Sequence, residues 1–292
     1  MIHLRYVIFI FVGVVSFLFS SFHVQAEDLI ITVAGSSTVR PIITATSKQF
    51  KKKNPVVFNI TGGGSSYGIK SVAMGTVTIG IASRKLNKKE EKKWQTLRVT
   101  TIGYDGIAII VNKATQVTAL TNEQIRDIYL GKISNWQEVG GQGGPIVCIS
   151  RESDRGESQL FLEYTQLEAQ EDITSMVYRK KGDQQYSSTK SRIIGSNKDA
   201  ILSVSMRKNT IAYVSMGQAL DFERKTKRIL LPTVDGIEPV TKNVKNKTFP
   251  IYRPLNILTN GEPDRLVKSF IDYLLSSEGQ SYVFSKNFIP VK

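Results

Sequence analysis

The sequence predicts an α/β protein built on parallel sheet, and two observations carry that prediction. Short apolar runs alternate with helical stretches along the chain. Each early run passes into a helical stretch through a small-residue turn, as in GSST at 35–38, GGGSS at 62–66 and ASRK at 82–85. A repeated strand, turn and helix is the pattern of a parallel sheet covered by helices. Ligands of such sheets sit outside the carboxyl ends of the strands, where these turns converge. The turns also share a composition, since each delivers serine or threonine where a helix begins. One hydroxyl there reads as an ordinary helix cap, whereas three together point to a shared anion site.

Taken in order, Leu29 to Ala34 reads as the first strand. Pro41 falls in the first turn of the next helix, where its missing N–H costs nothing, and that helix ends before Asn54-Pro55. Val56 to Ile60 is the second strand, the glycine loop leads into a helix over 67–74, and Val77 to Ala82 is the third strand. Asp105 to Asn112 is a strongly apolar strand that carries the chain into a second domain. There Thr121 and Gln124 form a capping box, and Gly131 suits the far end of that helix. Pro145 to Ser150 is a strand, followed by RESDRGES (151–158) and a helix to about Glu168. Ile211 to Val214 is a further strand, and Gly140 to Gly144 is a surface loop. Phe249 to Leu258 returns to the first domain, which the helix from Asp264 to Leu275 and the tail from Asn287 to Val291 complete.

The N-terminus reads as a secretory signal peptide over residues 1–26. Arg5 precedes a 14-residue apolar run, Tyr6 to Phe19, and Val24-Gln25-Ala26 places a small residue at the cleavage point. The run falls short of the ~20 apolar residues of a spanning helix. No cysteine follows it, so no lipid anchor is expected, and the export destination is a periplasm or the cell exterior.

Composition narrows the chemistry. The chain carries a net charge of +14, which suits polyanions, acidic surfaces or small anions without choosing among them. Cys148 is the one cysteine and lies in the apolar run Ile146-Val147-Cys148-Ile149, a buried strand thiol. Both histidines, His3 and His23, fall in the signal segment. Gly64-Ser65-Ser66-Tyr67-Gly68 matches the G-x-S-x-G of a hydrolase nucleophile elbow. The mature chain nevertheless offers no histidine to activate Ser66, so triad and His-zinc chemistry are excluded. Ser205-Met206-Arg207-Lys208 satisfies S-x-x-K without the companion motifs S-D-N and K-T-G, a match expected by chance. Ile69 interrupts any phosphate loop of the NTPase type before Lys70-Ser71. No catalytic residue, metal or cofactor is expected.

The segments ITVAGSSTVRP (31–41), GGGSSYGIKSVAMGTVTIGIASRKL (62–86), DGIAIIVNK (105–113), LTNEQIRDIYLGKISNWQEVGG (120–141), SRESDRGESQLF (150–161) and EGQSYVFSKNFIPV (278–291) together resemble a known family. The chain is similar, over essentially its whole mature length, to the substrate-binding proteins of Pst-type phosphate ABC transporters, which are type II periplasmic binding proteins. The resemblance implies a two-lobed α/β fold, each lobe a mostly parallel sheet flanked by helices, joined by two hinge strands and closing on phosphate. On this sequence the first lobe would comprise 27–110 and 250–292, and the second 111–249. The phosphate contacts implied are Ser37, Thr38, Ser65, Ser83 and Arg151, together with the second-domain turn Arg155-Gly156-Glu157.

That turn departs from the family's Ser-Gly-Thr. Its backbone N–H groups survive any substitution, and Arg155 adds a cation. Glu157 is expected on an exposed first helical turn, where a carboxylate suits the helix dipole. If it faced inward it would repel the anion unless it accepted the proton of a hydrogen phosphate. The implied function is capture of inorganic phosphate for an ABC permease of the inner membrane, by a periplasmic monomer that binds no nucleic acid. The alternatives are another tetrahedral oxyanion such as sulfate, an exported enzyme on phosphoesters, or a surface protein that binds polyanions.

Overall fold

In the computed structural model, which describes residues 29–291, the first strands assemble as their apolar pattern predicts. The expected signal peptide lies outside the described residues. Strand β1 (Leu29–Gly35) pairs in parallel with β2 (Val56–Gly63) on one side and β3 (Ile79–Ala82) on the other. The crossovers are α1 (Arg40–Phe50) and α2 (Ser65–Ala73), and the short α3 (Lys88–Lys93) follows β3. Strand β4 is far longer than the apolar run alone suggests, at 16 residues from Leu97 to Asn112.

The chain then forms β5 (Ala119–Leu120), α4 (Asn122–Tyr129), β6 (Val147–Ser150) and α5 (Gly156–Thr165). The expected capping box of α4 is present, with Thr121 accepting from the Gln124 N–H and the Gln124 side chain returning to the Thr121 N–H. Helix α5 stops at Thr165 rather than running to Glu168, because Gln166 takes a left-handed conformation and turns the chain into a hairpin. That hairpin is β7 (Leu167–Glu171) with β8 (Ser175–Lys180). Next come β9 (Ser191–Ile193), α6 (Asn197–Met206), β10 (Thr210–Ser215), α7 (Met216–Thr226), β11 (Ile229–Leu230), β12 (Thr233–Val234) and α8 (Thr241–Lys245). The chain closes with β13 (Tyr252–Asn260), α9 (Arg265–Leu275), α10 (Ser277–Ser285) and β14 (Ile289–Pro290).

The strands join in the order β2-β1-β3-β13-β4-β10-β6-β9-β8-β7. The fold is α/β as expected, and its sheet is mixed. Parallel pairs unite β1 with β2 and β3, and β6 with β10 and β9. Antiparallel pairs lie between them, where β13 runs beside β3 and β4, and β4 beside β10. The long β4 therefore spans the molecule: its Leu97–Gly106 half pairs with β13, and its Ile107–Val111 half with β10.

Two large cores sit along this sheet, one in each lobe, and a smaller cluster of Ile69, Val72, Ala82, Leu97 and Leu258 lies beside the first. One gathers Ile31, Val33, Ile42, Ile79, Ile81, Ile257 and Phe270. The other gathers Ile107–Val111, Trp136, Phe161, Tyr178 and Tyr213, with Phe249 and Ile251. Strands β4 and β13 pass from one core to the other near Asp105 and Arg253. Cys148 is buried in the second core, and burial pushes its thiol up to about 12. Phe161 stacks on Tyr213 with ring centroids 4.0 Å apart. Among the described residues, no helix is long and apolar enough to cross a membrane.

Candidate functional site

The carboxyl ends of β1, β2 and β3 bring the three hydroxyl-bearing turns together. Ser36 Oγ accepts from the Thr38 N–H at 3.2 Å and donates to Ser83 Oγ at 3.0 Å. Ser65 Oγ accepts from the Ser83 N–H at 3.0 Å. All of these side chains are buried. The glycines make the approach possible: Gly64 precedes α2 at φ 88°, in the region that favours glycine.

Three helices at this site begin without the side-chain cap that most of the described helices carry. Thr121, Asn87, Ser196, Asp264 and Ser276 cap their helices with side-chain oxygens. Helices α1, α2 and α5 start at Val39, Gly64 and Arg155 with no side-chain cap. The first-turn N–H groups of α2 and α5, which have no intrahelical acceptor, therefore stand where the two lobes meet.

On the second lobe, Arg151 leaves the end of β6 and is fully buried. Its Nε donates to the Ile194 carbonyl at 2.9 Å, Nη1 to Asn197 Oδ1 at 2.6 Å and Nη2 to the Gly195 carbonyl at 2.8 Å. One N–H on each terminal nitrogen remains without an acceptor among the described residues. The aromatic core fixes this segment from behind, since the Tyr213 hydroxyl accepts from the Arg151 N–H at 3.1 Å and lies 3.3 Å from Ser158 Oγ. Burial lowers the Arg151 pKa, against an opposing pull from Glu157.

A buried ionic cluster joins the lobes. Glu157 Oε1 accepts from the Thr38 hydroxyl at 2.7 Å, the Asn197 amide at 2.7 Å and Arg253 Nη2 at 3.0 Å. Arg253 Nη2 also reaches Asp105 Oδ2 at 3.0 Å and Thr38 Oγ1 at 2.9 Å, while Nη1 donates to Ser83 Oγ at 2.9 Å. Burial works to raise the Glu157 pKa, but Arg253 and Arg151 with the Thr38 hydroxyl outweigh it and hold the carboxyl well below its usual range. Asp105 goes the other way: burial pushes it up despite Arg253. The two carboxylates hold Arg253 itself above its usual range, against the effect of burial.

The expected site residues divide. Thr38, Ser65, Ser83, Arg151, Gly156 and Glu157 lie within this network or against it. A Cβ on Gly156 would come within 2.7 Å of the Ser83 carbonyl oxygen, so only glycine allows α5 to start so close to the first lobe. Ser37 stands at the rim, where its carbonyl accepts from Gln218 Nε2 at 3.2 Å and it borders a cavity of about 600 Å³ shared with Arg40, Lys198 and Lys225. Arg155 is ion-paired with Glu152 and makes no hydrogen bond to the cluster. The exposed position expected for Glu157 is overturned. It is 2 % exposed and points inward, because α5 abuts the first lobe and Arg253 arrives from 96 residues further along to neutralise it.

Sequence reasoning missed Ser36, Asp105, Asn197 and Arg253. For two of them a signal was present: Asp105 and Arg253 are charges inside apolar strand segments, and a charge there is buried only with a partner. The Ser66 hydroxyl donates to the Asp154 carbonyl at 2.9 Å and accepts from Arg84 Nη2 at 2.9 Å, so neither partner is a general base. Among the described residues, no cluster of His, Cys, Asp and Glu side chains is placed to hold a metal ion.

Known proteins resemble this chain in sequence and in fold. Residues 20–278 match the model of the PBP superfamily domain. The phosphate-binding protein PstS of Bacillus subtilis is 29% identical over 263 residues, covering 89% of this chain and 80% of that one. PstS of Borreliella burgdorferi is 28% identical over 270 residues, covering 92% of each. The crystal structure of a Clostridium perfringens protein, described as a phosphate ABC transporter substrate-binding protein with bound phosphate, superposes with a TM-score of 0.77. It is 34% identical, and the match covers 90% of this chain and all of that one.

Proposed function

The chain belongs to the PBP superfamily, and we propose that it captures inorganic phosphate between its two lobes and delivers it to an ABC importer. It is a binding protein and not an enzyme. The observation that carries the reading is the pair of uncapped helix starts, α2 and α5, facing each other across the cleft beside the buried Arg151 guanidinium.

A small oxyanion has no apolar surface to bury, so its affinity must come from many short, directed donors that offset desolvation. A charge-assisted hydrogen bond contributes ~1.5–3 kcal/mol, and a partly buried helix N-terminus up to ~2 kcal/mol. Several such terms reach the ~8 kcal/mol of micromolar binding. Arg151 adds planar, two-pronged geometry that lysine lacks. Residues Ser37, Thr38, Ser65, Ser83, Arg151 and the turn 155–157 would form the shell around the anion. Strands β4 and β13 would form the hinge between the lobes, and a membrane permease would receive the closed, phosphate-bound shape. The protein would act as an exported monomer.

Isothermal titration tests the reading. The wild type is expected to bind phosphate in the micromolar range or tighter. Arg151→Ala should remove most of that affinity, while Lys52→Ala, on an exposed surface, should leave it unchanged. Silence at millimolar phosphate would overturn the proposal, and a preference for sulfate would redirect it to that oxyanion. Equal losses in the two variants would mean that bulk charge does the binding.

A further inference from the structure

We propose that the Glu157 carboxylate is a resident anion of the cleft: it occupies donors that an incoming oxyanion needs and ties the lobes together, so phosphate binds by displacing it. The proposal rests on the reading of the cleft as a phosphate site, and it concerns how that site is regulated.

The donors come first. Oε1 alone takes the Thr38 hydroxyl, the Asn197 amide and Arg253 Nη2, at 2.7, 2.7 and 3.0 Å. Thr38 belongs to the first lobe, Asn197 to the second, and Arg253 to the strand that returns between them. A single carboxylate oxygen therefore bridges every part that must move when the lobes separate. Asn197 reinforces the bridge by donating to Thr38 Oγ1 at 3.0 Å.

The charges agree with the donors. Arg151 and Arg253 are the buried cations of the cluster, and Asp105 and Glu157 are its buried carboxylates, so the set is balanced before any ligand arrives. Arg155, the next cation, is already paired with Glu152. A phosphate added to this set brings uncompensated negative charge into a poorly solvated place unless a carboxylate withdraws. Glu157 is the one that can withdraw, because it stands in the first turn of α5, whereas Asp105 sits within β4 at the crossing between lobes. Being tethered, it also competes at a high effective concentration.

The test is isothermal titration of inorganic phosphate into the wild type, Glu157→Gln and Glu157→Thr at one pH. Glutamine keeps the shape and loses the charge, and threonine also loses the reach. Both variants are expected to bind about tenfold tighter or more, the factor by which a ten-to-one occupied state weakens apparent affinity. Equal or weaker binding by the variants, with the wild type still binding, overturns the proposal and leaves the phosphate reading intact. Binding to none of the three at millimolar phosphate removes the phosphate reading and this proposal with it. Small-angle scattering of the wild type decides the matter even if the variants fail to fold. Its radius of gyration is expected to stay unchanged on adding phosphate, and a contraction overturns the proposal.

Discussion

Two helix starts face each other across the cleft, and they solve the same local problem differently. Helix α2 begins at Gly64-Ser65 and helix α5 at Gly156-Glu157, both without a side-chain cap. In each, a glycine lets the backbone come close to something opposite: Gly64 faces Arg155, and Gly156 the Ser83 carbonyl. The residue after the glycine then diverges. Ser65 contributes a neutral hydroxyl that its neighbour Ser83 satisfies within the same lobe. Glu157 contributes a full charge, and its partners come from Thr38, Asn197 and Arg253, scattered across both lobes. Neutral donors can be assembled locally, whereas a buried charge must recruit the whole fold.

Breaking the charged side should therefore have the largest effect. Arg253→Met leaves Asp105 and Glu157 buried without their cation and is expected to cost ~3–5 kcal/mol of stability, read as a lower denaturation midpoint. A loss no larger than that of a serine variant would show that the two helix starts do not differ as described.

Acid titration sharpens the contrast next. The native pKa of Glu157 lies well below its usual 4.5, so its contribution is fully present above that value and is lost as pH falls through the native one. The stability difference between wild type and Glu157→Gln should accordingly hold level from neutrality to near 4.5 and shrink in more acid solution. Asp105, whose pKa burial raises, works in the opposite direction, and because it shares Arg253 with Glu157 the difference reports the coupled pair. Chemical denaturation at a series of pH values checks this. A difference that grew on acidification would contradict the ionised state assigned to Glu157.

The neutral side should respond least. Ser65→Ala removes one hydroxyl from the Ser36–Ser83 network and is expected to weaken phosphate binding by ~1 kcal/mol, about fivefold. Titration of that variant beside Arg151→Ala ranks the two directly.

Much of the fold was legible where its signals are local. The turn at 35–38, Pro41 in the first turn of α1 and the capping box of α4 follow from a few adjacent residues. The hairpin of β7 and β8 was not, because its cause is a left-handed Gln166 that no nearby glycine announces. The site divides the same way. The hydroxyl turns and Arg151 stand out by composition and resemblance, while Asn197 reaches the cleft only because α6 packs beside β10, where the Ser215 N–H donates to Asn197 Oδ1 at 3.1 Å.

By itself the sequence determined the alternation of strand and helix, the clustered hydroxyls at strand ends, and the lack of any histidine beyond His23. Each of these depends on residue type or on spacing within a few positions, which chain composition and backbone propensity set directly. The inward turn of Glu157, the pairing of Asp105 with Arg253 across 148 residues and the bridge between lobes were decided by the tertiary structure. A carboxylate at a helix start is stable in water or in a buried cluster, and only the arrival of Arg253 from the returning strand makes the buried state the lower in free energy.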